Sequence, residues 1–142
     1  MIRVAIVAPA MAVRAGLRAL LREETNIQVI AVGTSLAEIS EVYDGVDVVT
    51  WSPAAGVGLE VVRADIEKGK FGEATGLLVI HDDPQILEVL SRLTIRAWGV
   101  IDPEASQAEL ITSIHAIDEG LAIANPLWLK KALSGDPPAG RR

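Results

Sequence analysis

Ile2-Arg3-Val4-Ala5-Ile6-Val7, stopped by Ala8-Pro9 and followed by Val13-Arg14-Ala15-Gly16-Leu17-Arg18-Ala19-Leu20-Leu21, decides the fold of this chain. The first stretch is a continuous apolar run, the pattern of a strand buried on both faces. The second places Val13, Leu17, Leu20 and Leu21 at i, i+4, i+7 and i+8, one face of a helix. The unit then recurs. Further runs are Val29-Ile30-Ala31-Val32, Val46-Asp47-Val48-Val49, Leu77-Leu78-Val79-Ile80 and Trp98-Gly99-Val100-Ile101. Stripes at helical spacing separate them: Leu36, Ile39 and Val42/Tyr43; Leu59, Val62 and Ile66; Ile86/Leu87, Leu90 and Leu93; Leu110/Ile111, Ile114 and Ile117.

Helix-start signals sit where this reading needs them. Ser35 with Glu38, and Ser106 with Glu109, fit capping boxes. Asp83-Pro84 and Asn125-Pro126 each fit an N-cap followed by proline at the first helical position. The second pair opens a short sixth helix, Leu127 to Leu133, and SGDPPAGRR after it reads as a flexible tail or linker. The chain is thus an α/β domain over residues 1–120, a connector helix within 121–133 and a tail at 134–142. Five strand-helix units with right-handed crossovers imply a doubly wound parallel sheet, commonly in the order 2-1-3-4-5. In that order the carboxyl ends of strands 1, 3, 4 and 5 crowd one pocket.

Composition narrows the function classes. The chain has 142 residues, half of them apolar, enough for one domain with a substantial core. A formal charge of -6 argues against nucleic-acid binding by these residues. The absence of cysteine removes disulfide and thiolate chemistry and fits a cytoplasmic setting. There is no signal-peptide pattern and no apolar run of the ~20 residues a membrane span needs.

The element order, the Ile2–Val7 and Val13–Leu21 stretches, Asp47-Val48-Val49 and the stretch from Gly99 to Leu110 together resemble the receiver domains of two-component response regulators. The resemblance is greatest to the flavodoxin-like receivers that precede a LuxR/NarL-type helix-turn-helix. It covers about residues 1–120, and Glu119 to Leu133 is similar to the connector that follows such receivers. Such domains accept a phosphoryl group on an aspartate at the end of strand 3. Acidic residues after strand 1 help to hold Mg²⁺, a Thr or Ser follows strand 4 and a Lys follows strand 5. Carboxylates suit Mg²⁺, and the metal and the ammonium offset the charge in transfer.

Carried over position by position, that machinery is missing. The acidic pair falls on Ala8-Pro9, the acceptor on Ser52, the hydroxyl on His81, and the lysine on Pro103 or Asp102. The loop after Ser52 is about two residues shorter than the family usually has. The resemblance therefore implies a pseudo-receiver with a vestigial phosphorylation pocket. No catalytic residue, bound metal or cofactor is expected, and signalling would run through protein–protein contact.

Other readings of the same residues stay open at this level. Ser52, His81 and Asp102 end neighbouring strands and could be compared with a hydrolase triad, although no G-x-S-x-G elbow surrounds Ser52. His81, Asp82 and Asp83 could ligate a metal or merely cap the helix. Trp51 and Trp98, expected near the carboxyl edge of the sheet, could rim a small-ligand pocket or pack in the core. Trp128 could fold back on the domain or meet a partner. The leading expectation is a cytoplasmic, non-enzymatic receiver domain in signal transduction and transcription regulation, the N-terminal part of a LuxR-type regulator. It would pair with a copy of itself or another protein, and reach DNA only through a domain absent from this chain. The alternative is a small-ligand sensor using the vestigial pocket.

Overall fold

The strand and helix signals are realised in order in a computed structural model, which describes residues 1–42, 45–69 and 74–134. The elements are β1 (Ile2–Val7), α1 (Met11–Arg22), β2 (Ile27–Gly33), α2 (Leu36–Val42), β3 (Val48–Trp51), α3 (Leu59–Lys68), β4 (Gly76–Ile80), α4 (Ile86–Leu90), β5 (Ala97–Ile101), α5 (Gln107–Asp118) and α6 (Pro126–Ser134). The strands form one five-stranded sheet in the order β2-β1-β3-β4-β5, and every pair is parallel. The expected doubly wound topology is therefore the observed one.

Both faces of the sheet are covered, which is why its strands are apolar throughout. On one face Leu36 and Ile39 of α2, Val62 and Ile66 of α3, and Ile86 and Leu90 of α4 pack on Val7, Val49, Leu77 and Val79. On the other, Leu17 and Leu21 of α1 and Leu110, Ile114 and Ile117 of α5 pack on Val4, Ile6, Val48 and Leu78. Alternation along each strand sends neighbouring residues to opposite clusters.

Some expectations shift. The α1 stripe is only partly buried: Leu17 and Leu21 face the sheet, while Val13 and Leu20 are exposed at 39% and 37%. The third strand starts at Val48, two residues into the run from Val46, although Asp47 already bonds both neighbouring strands: its N–H donates to Arg3 O and its carbonyl accepts Gly76 N–H, both at 2.8 Å, while its Oδ2 accepts the Arg3 N–H at 2.8 Å. Pro84 does not open α4. Ile86 and Leu87 donate three residues back to Asp83 and Pro84 in tight turns, and the helix starts only at Ile86. Asn125-Pro126 does open α6, with Leu127 N–H donating to Asn125 Oδ1 at 2.8 Å. Ser134 ends that helix instead of starting a tail, and the rest of the predicted tail, 135–142, lies outside the described residues. Tyr43, read as part of the second stripe, does too.

Two devices tie the elements together. At the amino edge of the sheet, the Arg96 guanidinium donates to the carbonyls of Ala74, Asp47 and Asp118, joining the starts of β3 and β4 to the end of α5. At the end of α5, Gly120 has φ +87°, a left-handed conformation that glycine adopts without a Cβ penalty. Gly120 N–H donates to Ile117 O and Leu121 N–H to Ala116 O, the paired bonds of a Schellman motif. The motif turns the chain onto the outer edge of β5.

Thr50, in the middle of β3, is fully buried, and its hydroxyl has no hydrogen-bond partner. A buried unsatisfied polar group costs about 1–3 kcal/mol. Thr50→Val keeps the shape and removes that cost, so it should raise the urea midpoint by an amount corresponding to about 1 kcal/mol at unchanged m-value. A lowered midpoint would show that the hydroxyl is satisfied in solution.

Candidate functional site at the carboxyl edge of the sheet

Strand register brings the expected positions to one rim. Val7 pairs with Trp51, Trp51 with Val79, and Ile80 with Ile101. Ala8 and Ser52 thus leave adjacent strands at the same level, and His81 and Asp102 leave the next pair one residue further on. The backbone continues the ladder there: Ser52 N–H donates to Val7 O at 2.9 Å, and His81 N–H to Ile101 O at 3.0 Å. Neighbouring strands lie ~4.8 Å apart, so the rim from Ala8 to Asp102 spans about 15 Å.

The chemistry at each point follows from its partners. Ala8 is fully buried and offers only a methyl group, and Pro9 is exposed. Arg14, in the first turns of α1, reaches back over them. Its Nη1 donates to Ala8 O at 2.7 Å and to Pro9 O at 2.9 Å. A cation near a helix N-terminus is unfavourable by itself; the two carbonyls offset that cost. The end of β1 therefore carries a fixed guanidinium charge.

Glu38 lies on the same side. Thr34 donates its backbone N–H and its hydroxyl to Glu38 Oε2, both at 3.0 Å. The Thr34 N–H, then its hydroxyl, and to a smaller extent the Arg14 charge hold this carboxyl below its ordinary range. Ser35 Oγ accepts the Glu38 N–H at 3.3 Å, so one half of the expected capping box forms and the return bond goes to Thr34. A lowered folded-state pKa gives stability that is present above the ordinary carboxylate range and lost as pH falls through the lowered value. Glu38→Gln should therefore lower the denaturation midpoint at neutral pH and have a shrinking effect in acid. Urea titrations at several pH values check this, and a pH-independent difference would contradict it.

His81 is half-buried, and its Nδ1 accepts the Asp83 N–H at 3.0 Å. An Nδ1 that accepts carries no proton. A triad needs Nδ1–H to donate to the carboxylate, and here Asp102 Oδ1 instead accepts Glu104 N–H at 2.8 Å. Ser52, His81 and Asp102 are neighbours by register without the bonds of a hydrolase. Asp83 Oδ1 accepts Gln85 N–H at 2.9 Å, the capping role. Among the described residues no cluster of three or more His, Asp or Glu could hold a metal ion. Pro103 is exposed in the turn between Asp102 and Ala105.

The two indoles do not rim this site together. Trp51 ends β3 but is 2% exposed, in the core beneath α2, α3 and α4. Trp98 is the second residue of β5, paired with Leu77, so it sits toward the amino end of its strand and far from Asp102. The run Trp98–Ile101 begins with its indole, and the rim residue Asp102 follows its other end, which is why the expectation of a shared edge fails. Arg14 escaped sequence reading because its partners are main-chain carbonyls, which leave no residue pattern. A basic residue one turn into the helix after a strand end lacking acids was the available signal.

No known protein-family profile matches the chain, and no curated protein matches it in sequence. Solved structures do. The response regulator ChrA of a heme-sensing two-component system is 24% identical with a TM-score of 0.64, over 97% of this chain and 68% of that one. A LuxR-family DNA-binding response regulator from Silicibacter pomeroyi is 18% identical with a TM-score of 0.65, over 90% and 99%. The isolated receiver domain of RcsB from Salmonella enterica serovar Typhimurium in its apo form is 17% identical with a TM-score of 0.73, over 94% and 99%. RcsB also matches as dimers bound to DNA, at 14% identity and a TM-score of 0.64, over 98% of this chain and 71% of that one. The fold is thus that of response-regulator receiver domains. Among the described residues no helix is long and apolar enough to cross a membrane.

Proposed function

We propose that this chain is a pseudo-receiver: a receiver domain of the LuxR/NarL type that takes part in signal transduction and transcription regulation without accepting a phosphoryl group. The observation that carries this reading is the end of β1, where Ala8-Pro9 replaces an acidic pair and the Arg14 guanidinium occupies the carbonyls of both residues. A fixed cation repels Mg²⁺ from the place where a receiver would bind it. The acceptor position holds Ser52, and either alignment of the lysine position gives Asp102 or Pro103.

Such a domain works by contact. Residues 1–120 form the receiver unit and 121–133 the connector. The chain itself is cytoplasmic, has no enzymatic activity, and pairs with a second copy or a partner protein. The exposed apolar residues Val13 and Leu20, on one side of α1, support pairing through that helix. Incubation of the whole chain with a small-molecule phosphodonor and Mg²⁺ tests the central claim by intact mass. An unchanged mass is expected; a stoichiometric phosphoryl adduct would overturn it. Sedimentation at rising concentration tests self-association, and a monomer throughout would remove that part.

A further inference from the structure

The chain beyond α5 does not leave the domain at once. The Schellman turn at Gly120 lays residues 121–123 beside β5, where Ile123 forms a parallel bridge with Gly99. Ile123 N–H donates to Trp98 O at 3.3 Å, and Val100 N–H to Ile123 O at 2.9 Å. Gly99 is required for this approach, because a Cβ there would lie 2.9 Å from Ile123 Cβ and 3.1 Å from Ile123 O. Beyond it α6 lies against α4, and Trp128 is half-buried against the cluster that also takes Trp98.

The attachment is shallow compared with the core. Leu121, Leu127 and Leu133 are 54%, 74% and 79% exposed, while Val100 of β5 is 2% exposed. A segment held by a pair of backbone bonds and the partly buried Ile123, Ala124 and Trp128 opens at lower free energy than a buried strand. It covers the open edge of β5, whose outward N–H and C=O groups would otherwise template strand addition.

We propose that residues 121–134 are a releasable strap that autoinhibits the β5 edge. Closed, the strap fills the edge with its own extended residues and lays its helix on α4. Open, it frees Trp98 O and Val100 N–H for one kind of partner, an extended segment followed by an amphipathic helix, the chemistry the strap itself displays. The same strand ends at Ile101, directly before Asp102 of the carboxyl rim. This inference rests on the β5 edge alone and stands or falls separately from the phosphorylation reading.

Native-state hydrogen exchange on the whole chain tests it. Val100 and Ile123 amides should exchange through a local opening insensitive to low denaturant, well before those of β1 and β3. Trp128→Ala should speed both by at least about tenfold and leave β1 and β3 unchanged. Exchange of Val100 and Ile123 only with global unfolding, in every condition, would overturn the strap. Ile123→Pro, which deletes the donor to Trp98 O, provides the second arm. A fluorescent peptide of residues 119–134 should bind this variant at least about tenfold more tightly than the unaltered chain. Equal affinity, or no binding to either, would overturn the autoinhibition.

Discussion

A chain carrying Ser52→Asp, given a small phosphodonor and Mg²⁺, is expected to stay unphosphorylated. The substitution restores an acceptor carboxylate at the end of β3, level with Ala8 on the neighbouring strand. It restores nothing else. Mg²⁺ demands near-octahedral oxygen ligation. The end of β1 offers a methyl group, a proline ring and two carbonyls already bonded to Arg14 at 2.7 and 2.9 Å. At the far side of the rim the position of the neutralising lysine holds Asp102 or Pro103, so charge building on the transferring group has no ammonium to face. An arginine finger is worth on the order of 10³ or more in phosphoryl transfer, which sets the scale for a missing cation, and the pseudo-receiver reading removes the metal as well. Intact mass spectrometry reads the outcome directly. A phosphoryl adduct on the S52D chain that is absent from the unaltered chain would show that only the acceptor had been lost, and would sink the claim that the pocket as a whole is emptied.

How far the sequence could be read depends on what each feature is made of. The strands were legible because burial on both faces forces continuous apolar runs, and the topology follows from the crossover rule once the runs alternate with helices. His81 and Asp102 were legible as rim residues because each follows a run directly, and Ser52 because the acceptor position of the resemblance falls on it. Side-chain direction on helices was less so. Val13 and Leu20 share a stripe with Leu17 and Leu21, yet α1 sits on the sheet edge beside β1 and β2, and only the narrow line through Leu17 and Leu21 reaches it. Trp98 was misplaced because periodicity finds a strand without saying which end of a short run meets the rim. Arg14, Arg96 and Ile123 were invisible for a common reason: all three act through main-chain groups. Backbone carbonyls and amides are the same at every position, so no residue pattern announces them.

The tightest test of the packing is at Gly76, the first residue of β4. A Cβ built there would run into Ile117 Cγ2, closer than any pair of carbon atoms tolerates. Ile117 is fully buried, and its Cδ1 also approaches Gly99, at 3.0 Å from a Cβ built there. It therefore fits between two glycines on adjacent strands and cannot retreat toward either. Gly76→Ala should destabilise the domain by about 1–3 kcal/mol through overpacking. Ile117→Ala should cost about 2–5 kcal/mol, because it removes a fully buried side chain and leaves a cavity. The two effects should not add. Removing Cγ2 from residue 117 clears the space that the new methyl at 76 needs, and that methyl fills part of the cavity. The double variant should lie at least about 1 kcal/mol above the additive expectation, a coupling typical of residues in direct contact. Urea denaturation of the four chains, compared at constant m-value, measures it. Strict additivity would mean that α5 shifts on the sheet to admit a methyl at Gly76, and the close seating of Ile117 between β4 and β5 would then be no constraint on the fold.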